Sequence, residues 1–150
     1  SVVFHYNRKS GLLEHSFTRL ADFSRPPMLV SCKDPLVEEG FRCGAFHLDE
    51  GSVVFAASDA LSHYVLLMYE LANCGKFGEE LTEEAFRRSG NSALLLAAEA
   101  IRFDFQTDVL DPLMKAAGKE STFRAHAKAL TERGVLDVDD MTVVFLGKSA

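Results

Sequence analysis

The stretch Ser52-Val53-Val54-Phe55-Ala56-Ala57 constrains this chain most, because it is β-branched and aromatic, shows no polar alternation, and stops abruptly at Ser58-Asp59. A run of that kind suits a strand buried on both faces. Directly after it the pattern changes. Leu61, Tyr64, Val65, Met68 and Leu71-Ala72 recur at three and four, and Gly75 stands where a C-cap would. A strand that turns into a helix at Ser-Asp is therefore the fixed point around which the rest must fold.

The segments on either side extend this pattern. Residues 1–6 read as a strand, with Gly11 in the turn that follows, and residues 12–19 can pair back as a second strand. Pro26-Pro27 imposes an extended link before a strand-like run at 28–32. Residues 34–44 are loop-like, 45–48 are strand-like, and Asp49-Glu50-Gly51 is a turn signal. Beyond the first helix, Thr82 with Glu83-Glu84 marks a helix start, and residues 93–103 are a helix former apolar almost all round. Asp111-Pro112 reads as N-cap and N1 proline of a short helix ending near Gly118. Ser121 reads as the cap of a further helix with Phe123, Ala127 and Leu130 on one face, ending at Gly134. Thr142-Val143-Val144-Phe145-Leu146 is a closing strand. Strands, then helices, then one returning strand define an α+β class rather than alternating βαβ units.

Composition narrows the function classes. The 150 residues are a length for one domain, with an apolar share of 47% and a charged share of 25% typical of a packed globular chain. A net charge of −6 with scattered Lys and Arg argues against nucleic acid as a partner. Cys32, Cys43 and Cys74 are odd in number and far apart, which is neither a disulfide framework nor a zinc pattern and fits thiols in a reducing cytoplasm. No apolar stretch reaches bilayer length, so a membrane partner is not expected. The start lacks both an initiator Met and a signal-peptide pattern, and reads as a chain cut inside a strand.

Two acidic positions stand at strand ends. Asp59 follows the run 53–57, and Asp139-Asp140 precedes the closing strand. If those strands are antiparallel neighbours, the carboxylates converge at one end of a sheet, where they repel unless a cation lies between them. Mg²⁺ and Mn²⁺ favour such oxygen ligands. The same residues also suit ordinary roles, with Ser58 or Asp59 capping the helix and Asp139-Asp140 forming a turn. His63, four residues after Asp59, reads as support for such a site or as a packing residue. Asp104, Asp108 and Asp111 read as loop acids, Asp111 as the N-cap. Neither a nucleophile elbow nor a nucleotide-cradling loop motif occurs.

The stretch Leu48-Asp49-Glu50-Gly51-Ser52-Val53-Val54-Phe55-Ala56-Ala57-Ser58-Asp59-Ala60-Leu61 resembles the PP2C motif in which an acidic-Gly-Asp turn leads a strand into Ser/Thr-Asp-Gly. Asp139-Asp140-Met141-Thr142-Val143-Val144 resembles the same family's closing Asp-Asn-x-Thr-Val-Val motif. The chain, residues 1–150, is thus similar to the C-terminal portion of a PP2C-type metal-dependent protein serine/threonine phosphatase, and Phe123 to Val144 is similar to the endings of bacterial members.

That resemblance implies part of an α/β/β/α sandwich, with antiparallel sheets flanked by helices. It makes Asp59 and Asp139 ligands of a binuclear Mn²⁺ or Mg²⁺ centre that activates a water against a phosphoserine or phosphothreonine. Asp140, at the family's Asn position, and Ser58 would support those ligands from behind. The family's Gly after the first Asp is Ala60 here. The N-terminal portion of the family domain, with its further ligands and phosphate-binding Arg, does not appear. No catalytic residue is assigned within the chain, and the chain alone is expected to be inactive. The expected partners are that N-terminal half or a second copy of the chain, and a phosphoprotein substrate for the intact domain. The alternative is a non-catalytic PP2C-like binding or regulatory module.

Overall fold

The computed structural model describes residues 1–16, 33, 43–73 and 103–147. The expectations at 17–19, 28–32, Gly75, Thr82 and 93–102, together with Cys32 and Cys74, lie outside the described residues. The class is α+β: an antiparallel four-stranded sheet in the order β2-β1-β3-β4 with helices packed on it. The strands are β1 (Val2–Asn7), β2 (Leu12–His15), β3 (Ser52–Ala57) and β4 (Val143–Leu146). The helices are α1 (Asp59–Asn73), a π-helical turn at Phe105–Leu110, α2 (Asp111–Ala116) and α3 (Glu120–Glu132).

The β1–β2 hairpin closes where Gly11 adopts φ +68 and donates its N–H to Asn7 O at 2.8 Å. Only a residue without Cβ takes that conformation freely. Asn7 Oδ1 ties the turn by accepting the Lys9 and Ser10 N–H groups at 2.9 and 3.1 Å.

Register determines the two faces of the sheet. Phe4 lies opposite Phe55, and Phe55 opposite Phe145, so the three rings stack in a row with centroids 4.9 and 5.1 Å apart. This inner face, with Val2, Tyr6, Leu13 and Ala57, packs on α1 and forms the core. Leu13 N–H donates to Tyr69 Oη at 3.1 Å, and Tyr69 Oη–H donates to Gly11 O at 3.2 Å, so α1 is pinned to the hairpin as well as packed on it.

The outer face differs from the sequence expectation. β3 is not buried on both faces: Phe55 and Ala57 are buried, whereas Val54 and Ala56 are only half-buried. Around them Val3, Leu12, Val144 and Leu146 are 41, 43, 52 and 62% exposed. The unbroken apolar run therefore signals a second apolar face, not a second buried one.

α1 departs in the opposite sense. Its three-and-four spacing predicts one buried face, yet every residue from Leu61 to Glu70 is buried. The sheet covers one side. Elements C-terminal to it cover others, as the contact of Tyr69 with Phe105 at 5.1 Å shows.

Three local expectations change. Residues 45–48 form no strand, because β1 and β3 already have neighbours on both sides; Phe46 instead packs its ring on His5, 5.4 Å away. Asp111 is no N-cap, since the chain enters α2 already helical; its carboxylate pairs with Arg8. The cap lies upstream at Asp104, whose carboxylate accepts the Thr107 N–H at 2.9 Å. Ser121 does not cap α3; Lys119 holds that place, and the neighbouring Thr122 hydroxyl donates to Ala116 O and Lys119 O.

The end of α3 is as expected. Gly134 has φ +74 and donates to Thr131 O at 2.9 Å, while Val135 N–H reaches back to Leu130 O at 3.2 Å. That pair of bonds is a Schellman cap, and its apolar clasp is the buried pair Leu130 and Val135.

Candidate functional site

β3 and β4 are antiparallel neighbours with Ala57 opposite Val143. The residues after β3 and before β4 therefore meet at one end of the sheet. The convergence of Asp59 with Asp139-Asp140 that the sequence made conditional on this pairing has its backbone frame.

Ser58 holds the junction. Its backbone N–H donates to Thr142 O at 2.9 Å, and its carbonyl accepts the Ser62 N–H at 2.8 Å, the first bond of α1. Its hydroxyl faces away from the helix: it accepts the Thr142 N–H at 3.0 Å and donates to Asp140 O at 3.2 Å. So Ser58 is an N-cap by backbone, while its side chain straps α1 to the loop before β4. Ser62 strengthens the corner by donating its hydroxyl to Ala57 O at 3.0 Å.

Asp59 opens the first turn of α1, where the helix dipole favours a negative charge. It is exposed, as are Asp139 and Asp140. Asp139 Oδ1 accepts the Asp140 N–H at 2.8 Å, which orders the loop before β4. Ala60 is half-buried beside them. Among the described residues, no group of three or more His, Cys, Asp or Glu is placed to hold a metal ion. The carboxylates at this corner fit a hard divalent cation in kind but not in number.

His63 lies one turn further along α1 and is 5% exposed. Burial depresses its pKa to about 4, against a smaller opposing pull from Asp137. It behaves as a neutral packing histidine.

A second cluster lies near the opposite end of β3 and was not foreseen. His5 on β1 is 2% exposed and sits on the outer sheet face between Glu14 of β2 and Ser52 of β3. Its Nδ1 is 2.7 Å from Glu14 Oε2, and its Nε2 is 2.8 Å from Ser52 Oγ. No sequence spacing signals this, because only strand pairing brings residues 5, 14 and 52 together. The one available hint was a histidine at an outward position of an otherwise apolar strand.

No protein-family model, no curated protein and no solved structure matches the chain. Among the described residues, no helix is long and apolar enough to cross a membrane.

Proposed function

We propose that this chain contributes Asp59 and Asp139 to one edge of a Mn²⁺- or Mg²⁺-dependent centre in a cytoplasmic protein serine/threonine phosphatase of PP2C type. The observation that supports this reading is the β3–β4 register, with Ala57 opposite Val143, which sets Asp59 and the Asp139-Asp140 loop at the same end of the sheet. Asp140 and Ser58 brace that corner through the strap to Thr142. The further ligands that a binuclear centre needs come from a partner segment, either the N-terminal half that the family resemblance implies or a second copy of the chain. The β4 side of the outer sheet face, with the exposed Val144 and Leu146, is the surface that such a partner would cover. The chain alone then has no phosphatase activity.

Manganese titration of the chain, followed by the loss of free Mn²⁺ signal in electron paramagnetic resonance, tests this. Weak binding that disappears in both Asp59→Asn and Asp139→Asn supports the edge site. Binding unchanged in both variants, or no binding at millimolar Mn²⁺, overturns it.

The second reading is a non-catalytic binding or regulatory module on the same fold. One observation favours it: Ala60 stands at the family's glycine position. A phosphoester turnover assay on the chain with its partner segment separates the two readings, since only the first predicts Mn²⁺-dependent hydrolysis.

A further inference from the structure

We propose that Ser52 is an activated nucleophile, with His5 as its general base and Glu14 orienting that base, and that it accepts acyl groups from small carboxylic esters. The geometry has the order that nucleophilic catalysis requires: nucleophile within hydrogen-bond reach of a base, and the base held by a carboxylate through its other nitrogen. Ser52 Oγ is 2.8 Å from His5 Nε2, and His5 Nδ1 is 2.7 Å from Glu14 Oε2. The Glu14 carboxylate accepts a hydrogen bond from Nδ1–H, which holds the tautomer with Nε2 unprotonated and facing the serine hydroxyl.

The protons on the remaining groups are consistent with that assignment. Asp49 N–H donates to Ser52 Oγ at 2.9 Å, so the hydroxyl oxygen takes its hydrogen bond from the backbone and directs its own proton elsewhere. The two acceptors within reach are His5 Nε2 at 2.8 Å and Asp49 Oδ1 at 3.4 Å, and the shorter contact takes it. Asp49 Oδ1 is in any case occupied by the Gly51 N–H at 2.7 Å and by Asn7 Nδ2 at 3.1 Å. Those bonds fix the turn that carries Ser52.

Access follows the same division of labour. The side chain of His5 is shielded, with the Phe46 ring 5.4 Å from its own, while Ser52 is only half-buried and the Glu14 side chain is 45% exposed. A shielded base beneath a reachable hydroxyl keeps bulk water from the imidazole and leaves the nucleophile open to an electrophile.

The chemistry balances with water as the only co-reactant. Ser52 Oγ forms a bond to the ester carbonyl carbon as its proton passes to His5 Nε2. The bond from that carbon to the alkoxy oxygen breaks, and the imidazolium returns the proton to the leaving alcohol. Water then adds to the acyl-serine, losing a proton to His5, and the carboxylic acid leaves as Ser52 Oγ recovers its proton. The site is independent of the carboxylates at the α1 corner, since Ser52 and Asp59 are separated by the length of β3, about 20 Å at the usual rise per strand residue.

The test is covalent labelling of the full chain by a fluorophosphonate, with intact mass and peptide mapping, alongside release of 4-nitrophenol from 4-nitrophenyl acetate. One adduct per chain on Ser52 is expected, absent in Ser52→Ala. Because His5→Ala opens a buried site and can unfold the chain, the decisive variant is Glu14→Gln, whose folding is checked by circular dichroism. Labelling of folded Glu14→Gln should slow by about tenfold or more, and its pH profile should shift, because the carboxylate no longer sets the imidazole's tautomer. No adduct on Ser52, an adduct only elsewhere, or equal labelling rates in folded Glu14→Gln and the parent overturn the proposal.

Discussion

The Ser58 hydroxyl accepts the Thr142 N–H at 3.0 Å while the Ser58 N–H donates to Thr142 O at 2.9 Å, so one residue at the start of α1 satisfies both backbone groups of one residue before β4. This reciprocal clasp joins segments 84 positions apart. It continues the β3–β4 ladder by one residue beyond Ala57, using a side chain where the backbone has already turned into the helix.

Ser58→Ala removes the side-chain half of that clasp and the bond to Asp140 O. Both bonds are solvent-accessible, so water replaces part of what is lost. Urea unfolding should show a loss of about 1 kcal/mol, the net worth of an ordinary hydrogen bond. Ser58→Thr keeps the hydroxyl and should lose less.

His63 makes stability depend on pH. Its folded pKa is about 4 against an ordinary 6.5, because burial penalises the charged ring. Above pH 6.5 neither state is protonated and the group costs nothing. As pH falls from 6.5 towards 4, the unfolded chain takes up a proton that the folded chain refuses, and stability drops. The loss reaches about 3 kcal/mol once pH has fallen through the folded value. Urea midpoints measured from about pH 7.5 to 4 should show this slope, and His63→Gln should flatten it.

Gly134→Ala tests the cap of α3. At φ +74 an alanine Cβ strains the backbone in a conformation that glycine takes freely. A loss of about 1 kcal/mol in urea unfolding is expected. A replacement as stable as the parent would mean that the Leu130–Val135 clasp does not depend on this turn.

How far the fold could be read from residues alone depended on the range of the interactions involved. Gly11 and Gly134 announced their turns because a positive φ is a local demand with a local solution. The β3–α1 junction was equally plain, since the period changes within two residues. What failed was decided by distant partners. Asp111 has the look of a cap but is drawn to Arg8, 103 positions away. The burial of α1 on all sides follows from what packs over it, which its own three-and-four spacing does not encode. At the candidate sites the division is the same. Asp59 and Asp139 were visible because each stands beside a strand, but what surrounds them is set by residues far along the chain, and no group of three metal-ligating side chains forms there among the described residues. His5, Glu14 and Ser52 were invisible because a three-strand register assembles them.

The outer sheet face gives the last expectation. Val3, Leu12, Val144 and Leu146 are large apolar side chains on one face, each more than two-fifths exposed. Among the described residues β4 is an edge strand, so its outer backbone groups lie beside the same patch. Exposed apolar side chains next to a strand edge drive association by burial and by strand addition together. Sedimentation at micromolar concentration should therefore show the chain associating with itself or retaining a partner segment, with the mass of each species identifying which. The double variant Val144→Glu, Leu146→Glu places charge on the exposed positions of β4 and leaves Val143 and Phe145 on the core side. It should shift the chain to monomer while changing the urea midpoint little, because neither side chain contributes to the core. A parent chain that is already a stable monomer, matching the variant in both measurements, would show that this face needs no cover and would remove the support it lends to a partner-completed site.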